Sequence, residues 1–273
     1  MTQYFGFFGN GYLNWGDVID RTATYTNLNW IQPCPEMVEQ LVRSKAYGQK
    51  VIVACPRTFF NPPDYTPLPE FRQNFYDWWG LIPEDLKSVI VGILIADEPF
   101  RHNFKQMEKP LSNERLIANL NGISNWVKGA VGAQSGIATM ISASGTEYDQ
   151  YGAPKEVDWL GMYRYSYNTN WAQLLFSLWS LVRMKTASQK IVAIVDAYAD
   201  DEHPIDESRI KRYNEYWKAY VGVYSKHVIA VCPFLYQSTV MGYRPVYGAE
   251  SMPRVLAELQ GWGHKFPREM SDV

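Results

Sequence analysis

The sequence predicts a single (β/α)8 barrel, and three observations carry that prediction. Eight short apolar runs rich in β-branched or aromatic residues recur along the chain, and a longer segment with helical spacing or a helix-start signal follows most of them. Several of the runs, KVIVAC, VIVGILIA and KIVAIV among them, are apolar on both alternating faces. A strand packed on one side against a filled barrel interior and on the other against a ring of helices reads this way.

In chain order the predicted strands are Tyr4–Phe8, Leu28–Gln32, Lys50–Cys55, Val89–Ala96, Ile137–Ser142, Val157–Tyr163, Lys190–Val195 and Val228–Phe234. The first helix is expected within Asp17–Tyr25. Pro35 opens a second, through Met37, Val38, Leu41 and Val42, with Gly48 where a C-terminal cap belongs. Ser112 caps a helix containing Leu116, Ile117, Leu120 and Ile123, and Asp206 caps Ser208–Tyr224 with its Ile210, Tyr213, Trp217 and Tyr220 stripe. Trp171–Met184 and Pro253–Gly261 complete the ring. A chain of 273 residues suits one barrel, and no internal repeat beyond the strand–helix alternation, low-complexity tract or long linker divides it, so residues 1–273 are expected to form one domain. A doubly wound nucleotide-binding sheet would carry G-x-G-x-x-G after its first strand, and Gly6, Gly9 and Gly11 in GFFGNG lack that spacing.

The formal net charge of -2 leaves no basic excess to hold nucleic acid or an anionic bilayer, so neither partner is expected. No apolar stretch approaches membrane-spanning length. Cys34, Cys55 and Cys232 are odd in number and irregularly spaced, which fits reduced thiols rather than a disulfide framework or a zinc site. The first residues show no cationic start followed by an apolar run, so no secretory signal is expected. The expectation is a cytoplasmic protein or one exported by a non-classical route, and a virion location is compatible with the same sequence.

In a barrel of this kind catalytic groups gather at the C-terminal strand ends, where the loops converge on the axis. The strand register puts Asp97, Glu98 and Pro99 after strand four, Tyr163, Arg164 and Tyr165 at the end of strand six, Asp196 after strand seven, and Phe234, Tyr236 and Gln237 after strand eight. Strands four and seven lie across the mouth from one another, so Glu98 and Asp196 are placed to face each other over a bound substrate. Two such carboxylates suit glycoside hydrolysis: one protonates the leaving oxygen while the other attacks the sugar carbon or activates water. The acid must keep its proton near neutral pH, and Asp97 beside Glu98 is positioned to help by like-charge repulsion if both side chains face the cleft. A single strand-end acid more often caps a helix or pairs with an arginine; an apolar strand ending in two acids and a proline, with a third acid ending another apolar strand, favours chemistry.

ILIADEP, followed about a hundred residues later by KIVAIVDAY, resembles the strand-four and strand-seven signatures of the clan A retaining glycoside hydrolases. In that clan strand four ends in Asn-Glu-Pro. The resemblance therefore implies that Glu98 is the acid/base, that Asp97 stands where an asparagine binds the sugar 2-hydroxyl, and that Asp196 takes the place of a glutamate nucleophile. Tyr163, ending VDWLGMY, resembles the strand-six tyrosine that often hydrogen-bonds the nucleophile. Aspartate on strand seven is one methylene shorter than glutamate, which moves the carboxylate gap from about 5 Å toward the roughly 6.5–9.5 Å of inverting enzymes, so retention and inversion both stay open. The Asp97-Glu98 pair is also similar to that of substrate-assisted N-acetylhexosaminidases, where the aspartate orients the acetamido group.

Aromatics are plentiful around these acids: Phe59, Phe60 and Tyr65 in PRTFFNPPDYTPLP, then Tyr165, Tyr167, Trp171, Tyr198, Tyr236, Tyr243 and Tyr247. Flat rings suit sugar C–H faces and phenols add hydrogen bonds, although about half of these residues are expected to pack loops instead. Asn10, Arg57, Arg164, Tyr198, Phe234 and Tyr236 join Asp97, Tyr163 and Tyr165 as substrate-binding candidates. Arg57 and Arg164 suit acidic sugars, or salt bridges to Asp97 and Asp196. Ser142, Ser144 and Gly145 read as a turn or as substrate contacts.

His102, His203, His227 and His264 have no ligand spacing, and neither a G-x-S-x-G elbow nor a phosphate loop is present, so no metal or other cofactor is expected. The leading reading is a glycoside hydrolase acting on a polysaccharide or oligosaccharide. Its alternatives are the substrate-assisted hexosaminidase, a catalytically silent carbohydrate-binding barrel, and a structural barrel.

Overall fold

A computed structural model describes residues 2–8, 15–132, 134–167, 170–200, 202–203, 205–241 and 244–266. Its main sheet has eight strands: Tyr4–Phe5, Leu28–Ile31, Lys50–Ala54, Ile90–Asp97, Ala138–Ser144, Trp159–Tyr163, Lys190–Asp196 and Val228–Phe234. Each predicted run contributes one. All the strand pairings in this sheet are parallel, and the order first, eighth, seventh, sixth, fifth, fourth, third, second wraps the sheet into a (β/α)8 barrel.

The barrel closes where the first and second strands meet, and one side chain stitches the seam. Asn27 Oδ1 accepts from the Phe5 amide at 2.7 Å, its Nδ2 donates to the Gln3 carbonyl at 2.9 Å, and its own amide donates to the Phe5 carbonyl at 3.0 Å. Buried backbone groups at a sheet edge need such partners. The approach is close because residue 6 is glycine: a Cβ there would lie 1.8 Å from the Leu28 carbonyl oxygen. Inside the barrel, the absent side chain of Gly92 leaves room for the Trp159 indole, which a Cβ would meet at 3.1 Å, and Tyr4 packs against that indole from across the interior. Large and small residues thus alternate to fill the interior.

The helix signals place most of the outer ring. Ser112 accepts from the Arg115 amide at the start of Asn113–Val131, and Asp206 accepts from the Arg209 amide at the start of Glu207–Val223. Gly48, at φ 65°, follows helix Met37–Ala46, and the Gln49 amide beyond it returns to the Ser44 carbonyl. Trp171–Met184 and Pro253–Gly263 form as expected. The first helix is Trp15–Thr22, earlier than the expected Asp17–Tyr25, because the Tyr25 and Thr26 amides turn back onto the Thr22 carbonyl.

Among the described residues five α-helices were not anticipated: Pro56–Phe59, Phe71–Trp79, Glu84–Lys87, Pro99–Gln106 and Gly145–Tyr151. The Pro-rich segment after strand three is also more ordered than a rim loop. It forms helix Pro56–Phe59 and a hairpin of Phe60–Asn61 with Asp64–Pro67, and it buries Phe59, Phe60 and Tyr65 completely. These three rings pack the segment down and do not face a sugar. A three-stranded antiparallel sheet of Ala199–Asp200, Arg244–Tyr247 and Thr239–Met241 stands beside the seventh and eighth strand ends. Among the described residues no helix is long and apolar enough to cross a membrane.

Candidate active site at the barrel mouth

Strand four ends at Asp97, and Glu98 then turns the chain into helix Pro99–Gln106 with left-handed backbone angles, φ 48° and ψ 42°. A non-glycine residue in this region costs roughly 1–2 kcal/mol. The step also breaks the strand alternation that would send neighbouring side chains to opposite faces. Pro99 opens the helix, which brings Arg101 back over Glu98: Arg101 Nη1 lies 3.2 and 3.1 Å from its two carboxylate oxygens. The Tyr163 hydroxyl donates to Glu98 Oε1 from the end of strand six. The Glu98 side chain remains 21% exposed, so it is held and still reachable.

Behind Glu98 a second group of side chains fixes its surroundings. The Tyr65 hydroxyl donates to the Asp97 carbonyl at 2.5 Å, which leaves its oxygen to accept from His102 Nδ1 at 3.0 Å. His102 then presents Nε2 toward Glu98 Oε2 at 3.7 Å, and burial holds the imidazole below its usual pKa, favouring the neutral ring. The Ser142 hydroxyl donates to Asp97 Oδ1. Burial first, and then the neighbouring Glu98 charge, push the Asp97 carboxyl up to about 7. Like-charge repulsion from Glu98 thus adds to burial at Asp97.

Ser144 and Glu147 form a reciprocal capping box at the start of Gly145–Tyr151. Glu147 is buried, and its carboxyl is raised by burial against those cap hydrogen bonds, with Glu98 adding to the shift.

Asp196 ends strand seven and is only 1% exposed. Its Oδ2 accepts from the Ser166 amide at 2.9 Å, and its backbone carbonyl accepts from Asn214 Nδ2 at 2.8 Å. Burial raises the Asp196 carboxyl, opposed by the hydrogen bond from Ser166. Tyr163, Tyr165 and Tyr167 stack in sequence, with centroids 5.1 and 5.8 Å apart and planes within 21°. His203 continues the stack on Tyr167 at 3.6 Å and is held through Nδ1 by Asp200 Oδ1 at 2.8 Å. Tyr198 donates to the Tyr167 hydroxyl at 2.8 Å, and its ring and that of Phe234 close on Tyr165. The Tyr165 phenol is driven well above its ordinary pKa by burial, then by Glu98, Tyr167, Asp196 and Asp97.

The mouth therefore brings together Asp97, Glu98, Tyr163, Tyr165, Tyr198, Phe234 and Asp196. Tyr163 serves the strand-four acid rather than the strand-seven one. The register explains this: Tyr163 pairs with Ile194, so Asp196 lies two residues further along, level with the Tyr165–Ser166 backbone.

Arg164 points outward, donating from Nε to Ser177 Oγ at 3.0 Å, because it alternates with Tyr163 and Tyr165. Arg57 is exposed on its short helix and makes no ion pair with Asp97 or Asp196. Tyr236 is buried against Phe7, with Arg21 over its ring, behind the first strand. Asn10 and Tyr243 lie outside the described residues.

Sequence reasoning missed Arg101, although Pro99 at a first helical position was the signal that sets it one turn from Glu98. It also missed the cap in Ser144-Gly-Thr-Glu147, whose spacing was readable. Among the described residues, no three His, Cys, Asp or Glu side chains are grouped to hold a metal ion.

No family model and no curated protein matches the chain. Solved structures do. A Bifidobacterium dentium β-glucuronidase complexed with coumarin-3-O-glucuronide is similar over 98% of this chain and 47% of its own, at TM-score 0.68 and 11% identity. A GH113 β-1,4-mannanase is similar over 96% of this chain and 98% of its own, at TM-score 0.58 and 11% identity. A Rhizomucor miehei β-1,3-glucanosyltransferase in complex with laminaritriose is similar over 84% and 86%, at TM-score 0.55 and 13% identity. At these identities the likeness is one of fold, and the chain has the TIM-barrel fold found in the clan A glycoside hydrolases.

Proposed function

We propose that this chain is a glycoside hydrolase acting on a β-linked polysaccharide or oligosaccharide, with Glu98 as acid/base and Asp196 as the second carboxylate. The observation that carries the reading is the short path between the two strand-end acids: Tyr163, which donates to Glu98, stacks on Tyr165, and the amide of the next residue, Ser166, donates to Asp196. Glu98, once protonated, delivers that proton to the leaving glycosidic oxygen and returns to the ionised form that Arg101 and Tyr163 bind, while Asp196 either attacks the anomeric carbon or takes a proton from the attacking water. Arg101 and Tyr163 orient Glu98 through three hydrogen bonds, and a catalytic group fixed by its neighbours loses little freedom in reaching the transition state. Asp97, which carries a proton below about pH 7, supplies the donor that the asparagine amide of the clan would supply. The neighbours' β-glucuronide, β-1,4-mannan and β-1,3-glucan define the first substrates to try.

One observation favours a second reading. Asp196 is closed off from solvent beside the Tyr165–Ser166 backbone, as a structural acid in a silent carbohydrate-binding barrel would be. Turnover of a β-glycan panel by the wild type, lost in a folded Glu98→Gln variant, supports the hydrolase. Sugar affinity without turnover across the panel supports the binding barrel.

A further inference from the structure

One hydrogen sets the wiring of the side chains behind Glu98. The Tyr65 hydroxyl has a single proton and two neighbours able to take it, the Asp97 carbonyl oxygen at 2.5 Å and His102 Nδ1 at 3.0 Å. Two oxygens this close repel each other unless a hydrogen lies between them, so the proton goes to the carbonyl. The phenol keeps it, because burial first, and then the charges of Asp97, Glu98 and Glu147, push its pKa far above the ordinary value. His102 therefore faces a lone pair, and Nδ1 must carry the hydrogen of the neutral imidazole. Nε2 is left bare. The first turn of helix Pro99–Gln106, in which the His102 amide donates to the Glu98 carbonyl at 3.0 Å, brings that bare nitrogen to 3.7 Å from Glu98 Oε2.

We propose that His102 is a positioning residue acting through Glu98, an inference that rests on the acid/base role given to Glu98: Nε2 and Glu98 Oε2 share one proton, which Glu98 uses as acid. The oxygen is the right one, since Tyr163 donates to Oε1 and Oε2 is the one facing His102. The distance agrees as well. The opposite tautomer would set an N–H beside a carboxylate, and such pairs close to about 2.7–2.9 Å. A gap of 3.7 Å is that of two acceptors with no hydrogen between them, and catalytic hydrogen bonds of this kind are often long before the reacting state tightens them.

With the proton on Glu98, the carboxylic acid donates to Nε2; with it on His102, an imidazolium donates to the carboxylate. Passage from one to the other breaks one N–H bond and forms one O–H bond, while Nδ1 keeps its hydrogen on Tyr65. Burial, the largest influence, and Arg101 from the same turn disfavour a charged imidazole, and the Glu98 carboxylate favours it. Asp97 and Glu147 act on the Tyr65 phenol that holds Nδ1. The balance keeps the ring neutral and Nε2 ready to accept. After Glu98 has given its proton to a leaving group, His102, whose side chain is 25% exposed, takes the next one from solvent.

Nitrogen-15 spectra of the full chain labelled in histidine, recorded from about pH 5 to 9, read both tautomer and titration, with the His102 signals assigned by their loss in His102→Asn. The expected neutral ring carries its hydrogen on Nδ1 and takes its second proton at Nε2, with a midpoint that falls by about one pH unit in Glu98→Gln. Tyr65→Phe, which removes the acceptor for Nδ1, is expected to move the hydrogen of the neutral ring to Nε2. A wild-type ring with its hydrogen on Nε2 overturns the proposal, and so does a midpoint unchanged in a folded Glu98→Gln. These spectra need no substrate. In turnover, His102→Asn is expected to bring the alkaline limb of kcat/KM down by about one pH unit, because in the wild type the pair, not Glu98 alone, holds the last proton. A limb that stays in place overturns the relay. The expected spectra with no wild-type turnover of any glycan would instead overturn the hydrolase reading and leave the shared proton standing.

Discussion

The Tyr163 hydroxyl donates a hydrogen bond to Glu98, tying the end of strand six to the end of strand four across the fifth strand. A hydrogen bond to a charged partner contributes about 1.5–3 kcal/mol. Tyr163→Phe keeps the ring, and with it the stack on Tyr165, while deleting the donor. It is expected to lower kcat/KM about 10- to 100-fold with the circular dichroism spectrum unchanged, and wild-type kinetics in the variant would remove Tyr163 from the site.

Arg101 offers a complementary separation of activity from stability. Its ion pair with Glu98 is half exposed on the arginine side, and such pairs contribute at most about 1 kcal/mol to folding. Arg101→Ala is therefore expected to shift the thermal midpoint by only a few degrees while lowering turnover at least about tenfold. A variant that melts early with normal turnover would show a purely structural arginine.

Asp97 gives a pH signature in stability. Its folded-state pKa of about 7 exceeds the ordinary carboxylate value, so the folded chain holds this proton more tightly than the unfolded chain. Stability from this group is present at acid pH and is lost as pH rises from about 4 through 7. Asp97→Asn removes the charge and leaves an oxygen to accept from Ser142. The variant is expected to match the wild type near pH 4 and to exceed it by roughly 2–4 kcal/mol at pH 8. Parallel denaturation midpoints across that range would contradict the assigned burial and repulsion.

The barrel seam supplies a prediction on folding alone. Asn27→Leu leaves the Phe5 amide and the Gln3 carbonyl without the side chain that satisfies them, at about 1–3 kcal/mol each. A loss of roughly 5–10 °C in thermal midpoint is expected. Gly6→Ala, whose methyl would overlap the Leu28 carbonyl, should be worse still. Neutral outcomes at both positions would mean that the first and second strands are not held together as described.

The barrel was legible because its strands advertise themselves: a run such as VIVGILIA has no polar face in any register, and its period and length admit few other structures. The acids at the strand ends were legible for the same reason, since an apolar strand ending in Asp-Glu-Pro fixes where the mouth begins. What the sequence could not give was side-chain direction past the last strand residue. Arg164 and Tyr165 are neighbours, and only the continued alternation beyond Tyr163 sends one outward to Ser177 and the other into the mouth. Likewise Phe59, Phe60 and Tyr65 looked like rim aromatics, and the hairpin that buries them depends on pairing between Phe60–Asn61 and Asp64–Pro67 across a proline pair. The left-handed turn at Glu98, which aims the carboxylate, leaves no mark in the sequence at all.

The most direct test of the two-carboxylate account is hydrolysis of a β-glycan panel by the wild type, Glu98→Gln and Asp196→Asn, each checked for native circular dichroism. The account predicts wild-type turnover that falls at least about a thousandfold in both folded variants, as expected when a general acid or its partner carboxylate is removed. Wild-type turnover that survives both substitutions would contradict it.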